Sequence, residues 1–317
     1  MPYIFAIISA MGYGLNDLFI HIGMKKGKAG GAQALMVNLI TSNLVILLAA
    51  LFVMLVWGLP PLKWRGVLFF ALSGMFAPFF GRLSSISAIK LIGATRCNTL
   101  RVTDTFFTMV LVLIILGDPI ALNAVMGAII LVFGIITLIR ETGENEFIEI
   151  TAAEKEAAVS QSWGLPAFIK LSSAYKGSIL AILAALFFAL GGMFRQSGLD
   201  SIPSAILGTV ISSLMALITN SCYSLYTGQL SKENWQLTSR QILFFALAGC
   251  GSTVGLLMFF MSLSFGGALT MVATLKNTTP VFTLIFSWLF VRKLDRFSPK
   301  LIFSIILVVA GASIIVL

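Results

Sequence analysis

Charge is what this sequence has least of. Asp, Glu, Lys and Arg together make up only 10% of its 317 residues, where a soluble domain carries about 25%. A chain so poor in charge cannot coat a water-facing surface. It holds one histidine, which leaves no His-pair metal site and no zinc-protease motif. Its three cysteines, Cys97, Cys222 and Cys250, lie in or near apolar runs and form no disulfide framework; each reads as a small apolar residue. No GxxxxGK[ST] loop occurs, so the chain does not burn ATP by itself. No nucleophile–base constellation supports an enzyme. The formal charge of +9 suggests nucleic acid, but the basic residues are scattered between apolar runs and read as loop charge. The expectation is no nucleic acid, no metal and no cofactor.

Apolar residues are abundant instead, at 58% with a mean hydropathy of +1.01. A hydrocarbon core of about 30 Å needs roughly 20 residues per helical crossing. Ten windows qualify: 3–24, 33–57, 66–89, 94–116, 120–139, 177–198, 203–227, 241–263, 268–291 and 298–317. The runs are continuously apolar, not alternating, which favours helices over a barrel. The first run is too long for a signal peptide and lacks a basic start. An all-α integral membrane protein with ten transmembrane helices is therefore expected.

The chain repeats itself. At an offset of 175, LFFALSG (68–74) lies over LFFALAG (243–249), and IFAIISA (4–10) over ILAILAA (179–185). The same offset aligns Gly23 with Gly198, and TLRVTDTFFT (99–108) with TLKNTTPVFT (274–283). The second span drops out of register by four residues, LITSNL over VISSLM. One offset shared by separate regions is a duplication. Residues 1–140 form the first five-helix repeat, 141–176 a polar linker with TAAEKEAAV as a short surface helix, and 177–317 the second repeat. Five is odd, so the second copy crosses the bilayer in the opposite sense. Transporters use such inverted repeats to alternate access around a midplane site.

SAIKLIGAT (87–95), the turn SLSFGGA (262–268), ALTMVATLKNTTPVFTLIFSWLF (268–290) and Pro280 give the chain a resemblance to the drug/metabolite transporter superfamily, EamA type. That resemblance implies ten helices in two repeats and transport of small metabolites, with no enzymatic activity. The chain departs from the family pattern in Val291-Arg292-Lys293, where an acid is usual, although Asp118 keeps an acid at the first-half equivalent. Thr105 stands where the first half would match Pro280.

Inside or near the spans lie Arg82, Arg96, Arg101, Arg195 and Lys276 against Asp17 and Asp104. A charge at mid-span costs about 2.5–3.5 kcal/mol, so each must face water, a partner or a ligand. Arg96 and Arg195 sit near predicted span ends and can snorkel. Three- and four-residue steps place Cys97, Arg101, Asp104 and Thr108 on one stripe, and Lys276, Thr279 and Thr283 on another. A third stripe holds Tyr13, Asp17, His21 and Met24, with Asn16 beside it. The matched cations Arg101 and Lys276 are expected to hold an anionic group in a common cavity. Arg82 assists, Thr103, Thr278 and Thr279 donate hydrogen bonds, and Tyr13, Asn16 and Phe282 shape the site. Asp17, His21 and Asp104 are coupling candidates, for a proton or a counter-substrate. Two structural pairings compete with these roles: Arg101 with Asp104, three residues apart, and Lys276 with Asp17 across the bundle. Gly251 and Gly255 read as a small-residue packing pair.

These readings lead to a secondary transporter of a small anionic or zwitterionic metabolite, as monomer or homodimer, in the bacterial cytoplasmic membrane. The alternative is an exporter of amino acids or amphipathic cations with Asp17 and Asp104 as contacts. Loops after odd-numbered spans hold fourteen Lys and Arg against two on the other side. This count puts both termini outside, whereas the resembled family usually has them inside.

Overall fold

The computed structural model describes residues 2–25, 30–57, 62–116, 126–138, 168–228, 237–267, 275–290 and 298–316, with residues 140 and 272. The described residues form helices and no strand. Lipid offers the backbone no hydrogen bonds, and a helix satisfies its own. In chain order the helices are α1 (Pro2–Lys25), α2 (Gly31–Trp57), α3 (Trp64–Gly74), α4 (Arg82–Ile92), α5 (Ala94–Arg101) and α6 (Asp104–Leu116). They continue with α7 (Met126–Leu138), α8 (Phe168–Ser201), α9 (Ala205–Tyr226), α10 (Ser239–Ser264), α11 (Thr279–Phe290) and α12 (Pro299–Val316).

Among the described residues six helices are long and apolar enough to cross a bilayer, in the first, second, third, sixth, seventh and eighth predicted windows. Met126–Leu138, Thr279–Phe290 and Pro299–Ile314 are shorter apolar helices. The third window is one helix, Trp64–Ile92, in which α3 and α4 are joined by a π-helical stretch, Met75–Gly81. Pro78 lies inside it; a proline lacks an N–H and crowds the preceding turn, and the wider π turn absorbs both. At Gly93 the chain turns from α4 into α5 with φ +83°, a left-handed conformation that glycine adopts at no steric cost. The polar segment TAAEKEAAV, Asp118 and Val291-Arg292-Lys293 lie outside the described residues. Helix α8 begins at Phe168, ahead of the predicted start at 177.

The fourth window is broken. α5 ends at Arg101 and α6 starts at Asp104, with Val102 and Thr103 in a turn between them. The ninth turns at the matching place, Asn277 and Thr278, just before α11. Three-residue backbone bonds close both turns: Val102 to Thr99, Thr103 to Leu100, and Thr278 to Leu275.

Packing repeats the duplication. α1 lies along α10, and α8 along α3, the π stretch and α4. A methyl group at Gly23 would lie 2.4 Å from Phe245, and one at Gly198 would lie 2.4 Å from Phe70. Both residues of one contact map onto the other at the offset of 175. Phe19 stacks on Phe244 and Phe69 on Phe194, each pair with ring centroids 6.4 Å apart. Ser42 Oγ donates to the Gly249 carbonyl and Ser212 Oγ to the Phe70 carbonyl, both at 2.9 Å. Between lipid-embedded helices, close van der Waals contact and such hydrogen bonds are what hold. Gly12, Gly251 and Gly255 let α1 and α10 touch backbone to backbone: a methyl at Gly12 would lie 2.7 Å from the Gly255 nitrogen. The predicted glycine pair is a packing seam.

Candidate functional site

Helix α1 carries the predicted polar stripe inward, and Tyr13, Asn16, Asp17, His21 and Met24 are all buried. Asp17, 0% exposed, accepts from Arg82 on α4 at 2.8 Å and from Arg101 at the end of α5 at 2.8 Å. Asn16 Nδ2 donates to Asp17 Oδ1 at 2.6 Å, and Asn38 Nδ2 to Asn16 Oδ1 at 2.9 Å. Asn16 thus orients the carboxylate. Arg101 donates also to Asn98 Oδ1 at 2.8 Å and Ser85 Oγ at 3.2 Å. Asn98 in turn donates to Thr283 on α11 at 2.8 Å. Asp17 thus accepts from Arg82, Arg101 and Asn16.

Both predicted pairings are corrected. Arg101 forms its ion pair with Asp17 and not with Asp104, because the break at Val102–Thr103 puts the two residues on different helices. Lys276 does not reach Asp17; its Nζ lies 2.5 Å from Asp104 Oδ2. The matched cations are therefore not bare groups facing a wet chamber: each is held by a carboxylate. Beside this pair Asn277 donates to Thr105. The hydroxyl at the position matching Pro280 thus ties the two broken helices together.

A cavity lies between the halves. Tyr13, Asn38, Pro78, Arg82, Arg101, Asp104 and Thr108 line it from the first half, and Phe188, Gly192, Arg195, Ser252, Phe259 and Lys276 from the second. Its volume is about 40 Å³. One water takes about 10–15 Å³ on this measure, so the cavity admits a few waters and a metabolite requires it to open. A second space of about 10 Å³ lies between the broken helices, against Asp104, Lys276 and Asn277.

Every cation in the cavity sits over an aromatic face. Arg82 lies 5.3 Å from the Tyr13 ring centre and Arg101 4.5 Å from Phe188. Lys276 lies 5.6 Å from Phe259. Arg195 lies 5.0 Å from Phe259 and 4.8 Å from Phe260. Arg195 is 5% exposed and has no carboxylate within ion-pair distance among the described residues. Four cations thus meet two carboxylates, a local surplus of two positive charges. Arg195 does not snorkel, since α8 runs on to Ser201, past the predicted end at 198.

The predicted hydroxyl donors are engaged elsewhere. Thr103 donates to the Leu100 carbonyl, Thr278 to Leu275 and Thr279 to Lys276. A helix break orphans carbonyls, and neighbouring threonines take them up. Phe282 stacks on Phe286 and does not line the cavity. Sequence reasoning missed Phe188 and Phe259, and took Arg195 for a span-end residue. Phe188, Gly192 and Arg195 follow the same four- and three-residue steps that revealed the other stripes, and the repeat offset lays Phe188 over Tyr13.

A duplicated bundle of apolar helices around a buried charge cluster defines a multi-pass membrane protein of the transporter class. The EamA-like transporter family model matches residues 1–140 and 175–317. The chain belongs to this family, within the drug/metabolite transporter superfamily, whose members are transporters and not enzymes. No curated protein matches it. A solved structure titled "Crystal structure of protein" is similar over 97% of both chains, with a TM-score of 0.59 and 14% identity. That likeness concerns the fold alone.

Proposed function

We propose that the chain is a secondary transporter that moves a small anionic or zwitterionic metabolite by alternating access. Ten spans in two oppositely oriented halves fit this reading, as does a location in a bacterial cytoplasmic membrane. The observation that carries it is the surplus of buried positive charge, above all Arg195, a guanidinium without a carboxylate at the cavity wall. A planar fork of donors matches a carboxylate or phosphate in two hydrogen bonds. Arg195 takes the substrate's anionic group, Arg101 and Lys276 add field from paired positions, and Tyr13, Phe188 and Phe259 pack its apolar part.

The test is transport of an organic-anion panel into proteoliposomes, with Arg195→Gln and Lys276→Met. Arg195→Gln lowers anion transport by about tenfold to a hundredfold, the worth of a charge-assisted hydrogen bond. If transport of every anion survives both substitutions in folded protein, the reading fails. One observation favours the second reading, an amino acid or amphipathic cation. Asp104 Oδ1 is buried with no hydrogen-bond partner, and it can accept an ammonium. A thermal-shift screen of anions beside cations separates the two, since a bound ligand raises stability.

A further inference from the structure

The two carboxylates at the cavity draw their counter-ions from different places. Asp17 is held by Arg82 and Arg101, all within residues 1–140. This trio ties α1, α4 and α5 of one half together. Asp104 is held by Lys276 of the other half, and that pair must break or re-form when the halves part. Each partner stands at a helix break, where the backbone can turn, and lysine reaches on a flexible four-carbon stem. A carboxylate enclosed without a cation is strongly disfavoured. Every closed form of the cavity therefore needs a cation or a proton on Asp104, and the chain supplies its own cation. Arg195 is provided for likewise, because Phe259 and Phe260 offer it ring faces, and a cation–π contact strengthens when desolvated.

We propose that Lys276 is a tethered counter-ion for Asp104 that lets the transporter close and reopen without cargo, so that it carries its substrate in net fashion and is not an obligatory exchanger. A carrier whose Asp104 waited for a cationic group from its cargo could not return unloaded. The proposal rests on the alternating-access reading, but its test needs no substrate. Cys97, Cys222 and Cys250 are replaced by serine or alanine, and Ser252 at the cavity wall, 3.4 Å from Arg82, is changed to cysteine. Right-side-out and inside-out membrane vesicles are then treated with a charged, membrane-impermeant methanethiosulfonate.

The reporter protein is expected to label from both faces, at rates within about tenfold of each other. Adding Lys276→Met slows labelling from one face at least tenfold, because the unpaired carboxylate bars the closed form. Adding Asp104→Asn to that variant restores labelling from both faces. Labelling of the parent reporter from one face only, unchanged labelling with Lys276→Met, or a double variant that stays one-sided each overturns the proposal. A protein that labels as expected yet moves no organic anion keeps this inference and loses the substrate reading.

Discussion

Asp17→Asn should be among the most destabilising isosteric changes in the protein. It leaves the packing intact and removes the charge that Arg82 and Arg101 share at 2.8 Å each. One accepting oxygen becomes a donor facing a guanidinium. The two arginines are 3% and 9% exposed, so water reaches them only through the small cavity they line, and Asn98, Ser85 and Ser252 offer only neutral partners. Removing one partner of a buried ion pair costs about 3–5 kcal/mol. At about 2 °C per kcal/mol for a chain of this length, the melting temperature falls by about 6–10 °C. The assay is thermal unfolding of detergent-purified protein followed by tryptophan fluorescence. Asp104→Asn is the comparison: it strands a single cation, Lys276, whose side chain is 14% exposed, and should cost about half as much. A melting temperature for Asp17→Asn within about 2 °C of the parent would refute the trio as a stabilising unit. So would a larger loss for Asp104→Asn.

Gly12→Ala forces a methyl against backbone atoms of α10 at 2.7–3.0 Å, which cannot swing aside; a loss of about 1–3 kcal/mol is expected in the same unfolding assay. Gly23→Ala and Gly198→Ala press on fully buried Phe245 and Phe70 at the same 2.4 Å, so their losses should agree within about 1 kcal/mol; a large disparity would mean the two contacts are not equivalent. Phe188→Ala removes the ring under Arg101 and should weaken binding of any ligand with an apolar part by about tenfold, measured by thermal shift. By the excess of Lys and Arg after odd-numbered spans the C-terminus is expected outside; paired alkaline phosphatase and green fluorescent protein fusions at residue 317 decide it, and a fluorescent, phosphatase-inactive result would reverse the orientation.

Much of the fold was legible because the bilayer imposes one length and one period. The windows for α1, α2, α9 and α10 fall within a few residues of the helices, and the offset that aligned Gly23 with Gly198 reappears as two equal contacts. Pro78 marks a distortion in an otherwise regular window, the π stretch. The breaks at 102–103 and 277–278 were not foreseen, because helical spacing assumes an unbroken helix. That assumption made Arg101 and Asp104 neighbours on one face and hid the true pairs, which join residues 84 and 172 positions apart. Ion pairing across a bundle leaves no periodic trace. Arg195 was misjudged for a simpler reason: apolar windows end where polar residues begin, and α8 does not.

The halves share a backbone plan but not an interior, and the difference is systematic. Where α1 and α10 meet through Gly12, Gly251 and Gly255, the matching positions on α8 and the helix Trp64–Ile92 are Phe187, Phe76 and Phe80, with the Phe187 ring centroid 5.3 Å from Phe80 and 6.3 Å from Phe76. Where α1 has Asn16 and Asp17, α8 has Gly191 and Gly192. The glycine seam brings main chains into contact, and separating it would forfeit many close contacts and the 2.6 Å hydrogen bond from Ser9 to the Gly255 carbonyl. The phenylalanine seam is built largely of side chains, with one close main-chain approach at Gly191, where a methyl would lie 3.0 Å from the Ala77 nitrogen. Two identical halves would give two equivalent seams. Divergence at these positions makes one seam main chain on main chain and the other largely ring on ring, and it sets the carboxylate of Asp17 on the helix of the glycine seam. The duplication lays down two related seams, and the substitutions between its copies make them unequal in how closely the main chains approach.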